Sequence, residues 1–149
     1  MIRIRMADPR LAEFRAMLQA SEEYGASLYA AESNHFLDVE TLCQPQMRFF
    51  GAFLDDVPKG CGGFWAHHNY AEIKRLWVEP SARGLRIGQE LMAHIEHAAK
   101  AEGFSLARLE TGVKQPEATT LYEKRGYLYI APFGDYKLDP LSVFMEKAL

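Results

Sequence analysis

Apolar and charged residues alternate from the second position: Ile2, Ile4 and Met6 fall on one side of an extended segment, Arg3 and Arg5 on the other. That period of two predicts a half-buried strand. At Asp8 the spacing becomes helical. Leu11, Phe14, Met17 and Leu18 recur on one side, Asp8 is placed to cap free amides and Pro9 suits a first helical position, so a helix is expected from there to Ala20. A second helical stretch, 21–31, is interrupted by Gly25. Residues 32–36 are polar and loop-like, with a short helical turn expected before Pro45.

Strand patterning takes over at Met47. The runs 47–54, 61–67 and 71–78 are separated by turns at 55–60 and 68–70, which predicts three antiparallel strands in a meander. A strong helix is expected over 88–102, with Leu91, Ile95 and Ala98 on one side and Gly103 ending it. A strand at 106–111, a helix at 116–125 and strands at 127–130 and 142–147 complete the chain.

A length of 149 residues with 48% hydrophobic content suffices for one sizeable core, so one domain over 1–149 is expected. The net charge of -3 leaves no excess of cations to neutralise a phosphate backbone, which argues against a nucleic-acid partner. No long apolar stretch follows Met1, so neither a signal peptide nor a membrane partner is expected, and the cytoplasm is the expected compartment. Cys43 and Cys61 form no CxxC pair and have no His at zinc-ligand spacing; they read as reduced thiols, and no metal is expected.

The stretch from Val78 to Leu91 carries the most chemistry. It runs from a strand through Glu79-Pro80-Ser81-Ala82-Arg83-Gly84-Leu85-Arg86-Ile87-Gly88-Gln89 into a helix. Pro80 helps end the strand, Gly84 and Gly88 let backbone approach a ligand, and a helix start presents unpaired amides with a partial positive charge. Such amides suit a pyrophosphate, and Arg83 and Arg86 add donors that fork onto phosphate oxygens. No Gly-Lys-Ser/Thr follows for a Walker loop, and the glycine spacing is not the dinucleotide fingerprint.

This loop resembles motif A of the GNAT N-acetyltransferases, Arg/Gln-x-x-Gly-x-Gly/Ala, with Arg83 and Gly88 in register and Arg86 at the central glycine position. There a side chain enters a crowded turn or places a further cation beside the phosphates. Downstream, Gln115 to Tyr127 resembles motif B, Asn-x-x-Ala-x-x-x-Tyr-x-x-x-Gly-Phe/Tyr. Ala118, Tyr122, Gly126 and Tyr127 are in register, and Gln115 replaces the leading Asn. The resemblance covers mainly 72–147. It implies an α+β, three-layer α/β/α fold: a mixed, mostly antiparallel sheet of about six or seven strands flanked by helices, split near 71–78 and 106–111. Dimerisation is common for that fold.

The implied activity is transfer of an acetyl group from acetyl-CoA to a primary amine by direct attack in a ternary complex. By resemblance, Arg83, Gly84, Leu85, Arg86, Ile87, Gly88 and Gln89 hold the CoA pyrophosphate, and Leu76, Trp77 and Val78 pair with the pantetheine arm. Gln115 and Lys124 complete the expected coenzyme set, and Tyr122 is the expected general acid beside the CoA sulfur. For the base, Glu72 is the first candidate, with Glu110, His35 and water as rivals. Glu72 also reads as a strand carboxylate paired with Lys74.

Acceptor choice is expected from the loop holding Asn34 and His35 and from the tail holding Phe133 and Tyr136. The strand 72–78 places cations on both faces, and Lys74 or Arg75 could receive an acceptor carboxylate, a surface salt bridge being the alternative. The tail's similarity to small-molecule acetyltransferases favours a small amine or amino acid. The competing classes are a non-catalytic acyl-CoA-binding module and an acetyltransferase acting on a protein or peptide amine.

Overall fold

The alternating N-terminal segment forms strand β1 (Ile2–Met6), which pairs antiparallel with β2 (Met47–Leu54) in a computed structural model that describes residues 1–149. β2, β3 (Val57–Ala66) and β4 (Ala71–Val78) make the expected meander. Next to β4 lies β5 (Leu106–Gly112), followed across the sheet by β7 (Ser142–Ala148) and β6 (Leu128–Ile130). The seven strands thus run in the order β1-β2-β3-β4-β5-β7-β6, antiparallel everywhere except between β4 and β5.

Strand alternation gives the sheet two apolar faces. On one, Ala52, Phe64, Ile73 and Leu109 meet Ile87, Leu91, Met92 and Ile95 of helix α3 (Ile87–Ala101) and Tyr122 of α4 (Pro116–Lys124). On the other, Phe49, Phe53 and Cys61 meet Phe14, Met17 and Leu18 of α1 (Ala12–Leu28) and Leu42 of the short α2 (Val39–Leu42). Leu91 and Ile95 are wholly buried, each worth about 1.5–3 kcal/mol of hydrophobic stabilisation. No helix is long and apolar enough to cross a membrane.

Three local expectations are corrected. The helix does not start at Pro9: the Asp8 carboxylate turns onto the Arg10 backbone and guanidinium, and α1 begins at Ala12. It then runs unbroken through Gly25. A Cβ there would lie 2.7 Å from Phe36 Cζ and 2.8 Å from Asn34 Oδ1, so the glycine gives the following loop room against the helix. The turn expected over 55–60 is only Asp55-Asp56, both with positive φ (49° and 68°), a conformation that short polar side chains tolerate and that suits a tight hairpin.

A fourth correction shapes the site. Cys61 opposes Trp77 and Gly63 opposes Lys74, so Gly62 faces two residues of β4, Arg75 and Leu76, and Arg75 adopts φ 61°. This bulge resets the alternation. Lys74 and Arg75 therefore both contact the segment 35–37, and the expectation of cations on opposite faces fails. Pairing of β4 with β5 is confined to Ala71 with Ala107 and Glu72 with Arg108. Beyond those residues the strands part, leaving the split that the resemblance implies.

Candidate active site

At the far end of β4, Pro80–Ala82 makes one 3-10 turn and Gly84 takes φ 83°, which a side chain would strain. Arg86 sits at the N-cap of α3 with φ 67°, and no side chain caps the helix. The amides of Ile87, Gly88 and Gln89, at the start of the helix, have no intrahelical acceptor. They border a cleft of ≈ 500 Å³ that also takes Arg83, Arg86 and Lys124. Arg83 is partly committed, its Nε donating to Val78 O at 3.2 Å with the guanidinium 5.0 Å above the Trp77 ring. Gly88 serves packing: a Cβ would press on Leu121 Cδ2 at 3.2 Å, so its absence lets α4 close on α3.

The cleft continues past Leu76, Trp77, Gln115 and Tyr122 into the gap between β4 and β5, a cavity of ≈ 120 Å³. Tyr122 reaches it from α4 and Glu110 from β5. Glu110 Oε2 accepts from Ser142 Oγ at 2.8 Å. Burial is the main cause that pushes its carboxyl above the ordinary range, against the lowering influence of Ser142, His35 and Lys74. The Tyr122 phenol is pushed up as well, by burial first and then by the Glu110 charge, so it stays protonated.

Beyond His35 and Lys74 a third cavity of ≈ 760 Å³ opens between β4, the segment after α1 and the tail before β7. Glu72 stands at its wall with both oxygens engaged. His67 Nε2 lies 2.8 Å from Oε1, and the Tyr136 hydroxyl donates to Oε2 at 2.6 Å. Lys74 Nζ sits 3.5 Å from the same oxygen and donates to the Tyr136 hydroxyl at 3.0 Å and to His35 O at 3.2 Å. Burial and the Glu72 charge push the Tyr136 phenol up.

A cleft at a helix start, leading to a split sheet, is the layout that the two motifs imply. The Acetyltransferase (GNAT) family profile matches residues 12–127. The chain belongs to the GNAT acetyltransferase family. Among its relatives is an Azospirillum brasilense protein named IAA acetyltransferase, 44% identical over 135 residues, which span 89% of this chain and 88% of that one. A Bacillus subtilis N-acetyltransferase is 36% identical over 79% of this chain and 80% of its own. A Klebsiella pneumoniae structure assigned to the acyl-CoA N-acyltransferases superposes with a TM-score of 0.85 at 31% identity, covering 100% of this chain and 98% of the other.

Within this GNAT frame, Leu76, Trp77, Val78, Arg83, Gly84, Arg86, Ile87, Gly88, Gln89, Gln115 and Lys124 all line the cleft. Leu85 does not; it is half exposed. His35 borders both the gap and the outer cavity, and Tyr136 borders the outer one. Phe133 lines none of the three: it is buried beneath Tyr136, ring centroids 5.2 Å apart, with Tyr70 and Phe144. Asn34 lines the gap, but its Nδ2 donates to Tyr29 O and Ala30 O at the end of α1, both at 3.3 Å. Arg75 borders the gap with its guanidinium spent on Leu37 O, Leu18 O and Ser21 Oγ. Tyr24 borders both cleft and gap and was not singled out. The signal was available, since the helical spacing of Phe14, Met17 and Leu18 carried past Ala20 reaches Ser21 and then Tyr24, which packs on Trp77 with ring centroids 5.9 Å apart.

Proposed function

We propose that this GNAT protein moves the acetyl group of acetyl-CoA to the primary amine of a small molecule, by direct attack in a ternary complex. Tyr122 and Glu110 carry the reading, because they meet in one cavity at the inner end of the anion-ready cleft. Acetyl-CoA supplies a thioester carbonyl already activated for attack. The residues present fit it: the uncapped amides at 87–89, Arg86 and Lys124 would take the diphosphate, and the free edge of β4 beyond Glu72 would take the pantetheine arm.

The chain's own groups then divide the proton work. A nucleophilic amine must lose a proton, and Glu110, with only one of its oxygens bonded, is better placed to accept it than Glu72, whose oxygens are both held. As the nitrogen–carbon bond forms and the carbon–sulfur bond breaks, the Tyr122 hydroxyl donates to the departing sulfur. Neither cysteine competes as a nucleophile. Cys61 is fully buried with its thiol pushed up to about 12, and Cys43 lines none of the three cavities.

The test is thiol release from acetyl-CoA that depends on an added small amine. Binding without amine-dependent release would select the non-catalytic module, and acetylation of peptides alone would select a protein acetyltransferase. Arg86 gives a second check through opposed signs. A non-glycine residue held left-handed costs about 1 kcal/mol, so Arg86→Gly is expected to raise stability in a denaturant melt by that order. The same change removes a cation from the cleft, and calorimetry should find acetyl-CoA binding weakened several-fold.

A further inference from the structure

We infer that the acceptor is an amine that carries a second positive charge at its far end and no carboxylate. This rests on the reading above, in which the outer cavity leads past His35 and Lys74 to Glu110 and Tyr122. An acceptor whose body fills the ≈ 760 Å³ space can extend its reacting nitrogen through that opening.

A carboxylate entering there needs a free cation, and the two that the strand offers are taken. Lys74 Nζ has three partners, Glu72, Tyr136 and His35 O, and its side chain is only 10% exposed. Arg75 is pinned between α1 and the segment 35–37, with its side chain 2% exposed. Lys137 is exposed and makes no ion pair, but the chain places Asp135 and Asp139 on either side of it in sequence, and both border the same space. An incoming carboxylate would face both.

The balance of charge points the same way. Glu32, Glu72, Asp135 and Asp139 set four carboxylates against Lys74 and Lys137. Asp139 is held below the ordinary carboxylate range by the Leu141 amide first and the Ser33 hydroxyl second, so it stays ionised. Of the aromatic residues bordering the space, Phe36 and Tyr136 already carry Arg75 and Lys74 over their rings, while Trp65 holds no such cation and adds a ring of the kind that attracts an organic one. The reacting nitrogen gives up its proton during transfer, whereas a second ammonium at the far end keeps its charge and meets this acidic, aromatic surface throughout.

The experiment compares three acceptors of equal length at saturating acetyl-CoA: a diaminoalkane, the alkylamine with a neutral far end and the ω-amino acid. We expect kcat/KM to fall in that order, by at least tenfold from first to last. In Asp135→Lys the diamine's kcat/KM falls and the amino acid's rises. Preference for the amino acid, indifference to the far-end charge or an unchanged ratio of the diamine's to the amino acid's kcat/KM in Asp135→Lys overturns this inference and leaves acetyl transfer standing. Acetyl-CoA binding with no transfer to any amine overturns both.

Discussion

Tyr122→Phe is expected to lower kcat by about 10²- to 10⁴-fold, the range that general acid catalysis supplies, with little change in acetyl-CoA affinity. The ring stays, so packing against Tyr127, 5.9 Å between centroids, is kept. Only burial and the Glu110 charge act on the phenol, and losing the hydroxyl therefore strands no partner. The split between kcat and KM separates an acid acting on the leaving group from a wall that merely shapes the cleft, whose loss would raise KM instead. A mercaptan leaving group more acidic than CoA needs less help from an acid, and a truncated thioester of that kind should lose much less rate in the variant.

Glu110→Gln is the second large effect, with a fall in kcat of the same order, about 10²- to 10⁴-fold. The pH profile distinguishes a base from a structural carboxylate. Burial holds the Glu110 carboxyl above the ordinary glutamate value of about 4.3, so the wild-type rate should climb with pH through that raised value, as the proton leaves and the base becomes available. Ser142, His35 and Lys74 oppose the rise and Glu72 adds to it, so the limb belongs to this group of side chains. In Glu110→Gln the limb should vanish. In Glu72→Gln it should persist, because Glu72 is held in the outer network by His67, Tyr136 and Lys74.

The parts legible in the sequence were those written in short-range periods. Alternation at 2–6 and in the meander strands gave the sheet, and the glycine loop before Leu91 gave the cleft. What stayed hidden came from backbone irregularities and from contacts far apart in sequence. A strict period of two sends Lys74 and Arg75 to opposite faces; the bulge that brings them together is signalled only by Gly62 and Gly63 on the neighbouring strand, where a Cβ on Gly63 would meet Arg48 O at 2.0 Å. Gly25 read as a break in a helix because its partners, Asn34 and Phe36, are reached only after the chain folds back.

The base candidates show the same limit. Glu72 and Glu110 are both strand carboxylates beside the split, and sequence alone ranks neither by what else binds them. Their partners are supplied by the tail: Tyr136 occupies Glu72, while Ser142 leaves one oxygen of Glu110 without a bond. Phe133 illustrates the reverse case. An aromatic residue in a ligand-facing tail looked suited to substrate, yet it is the buried support on which Tyr136 rests.

Direct attack of the amine on the thioester within the β4–β5 gap is the central claim, and initial velocities with acetyl-CoA and amine varied together test it most directly. We predict intersecting double-reciprocal lines and no acetylated protein after incubation with acetyl-CoA alone, as expected when the only thiols are one buried and one outside the cavities. Parallel lines accompanied by a stable acetyl group on the chain would contradict it.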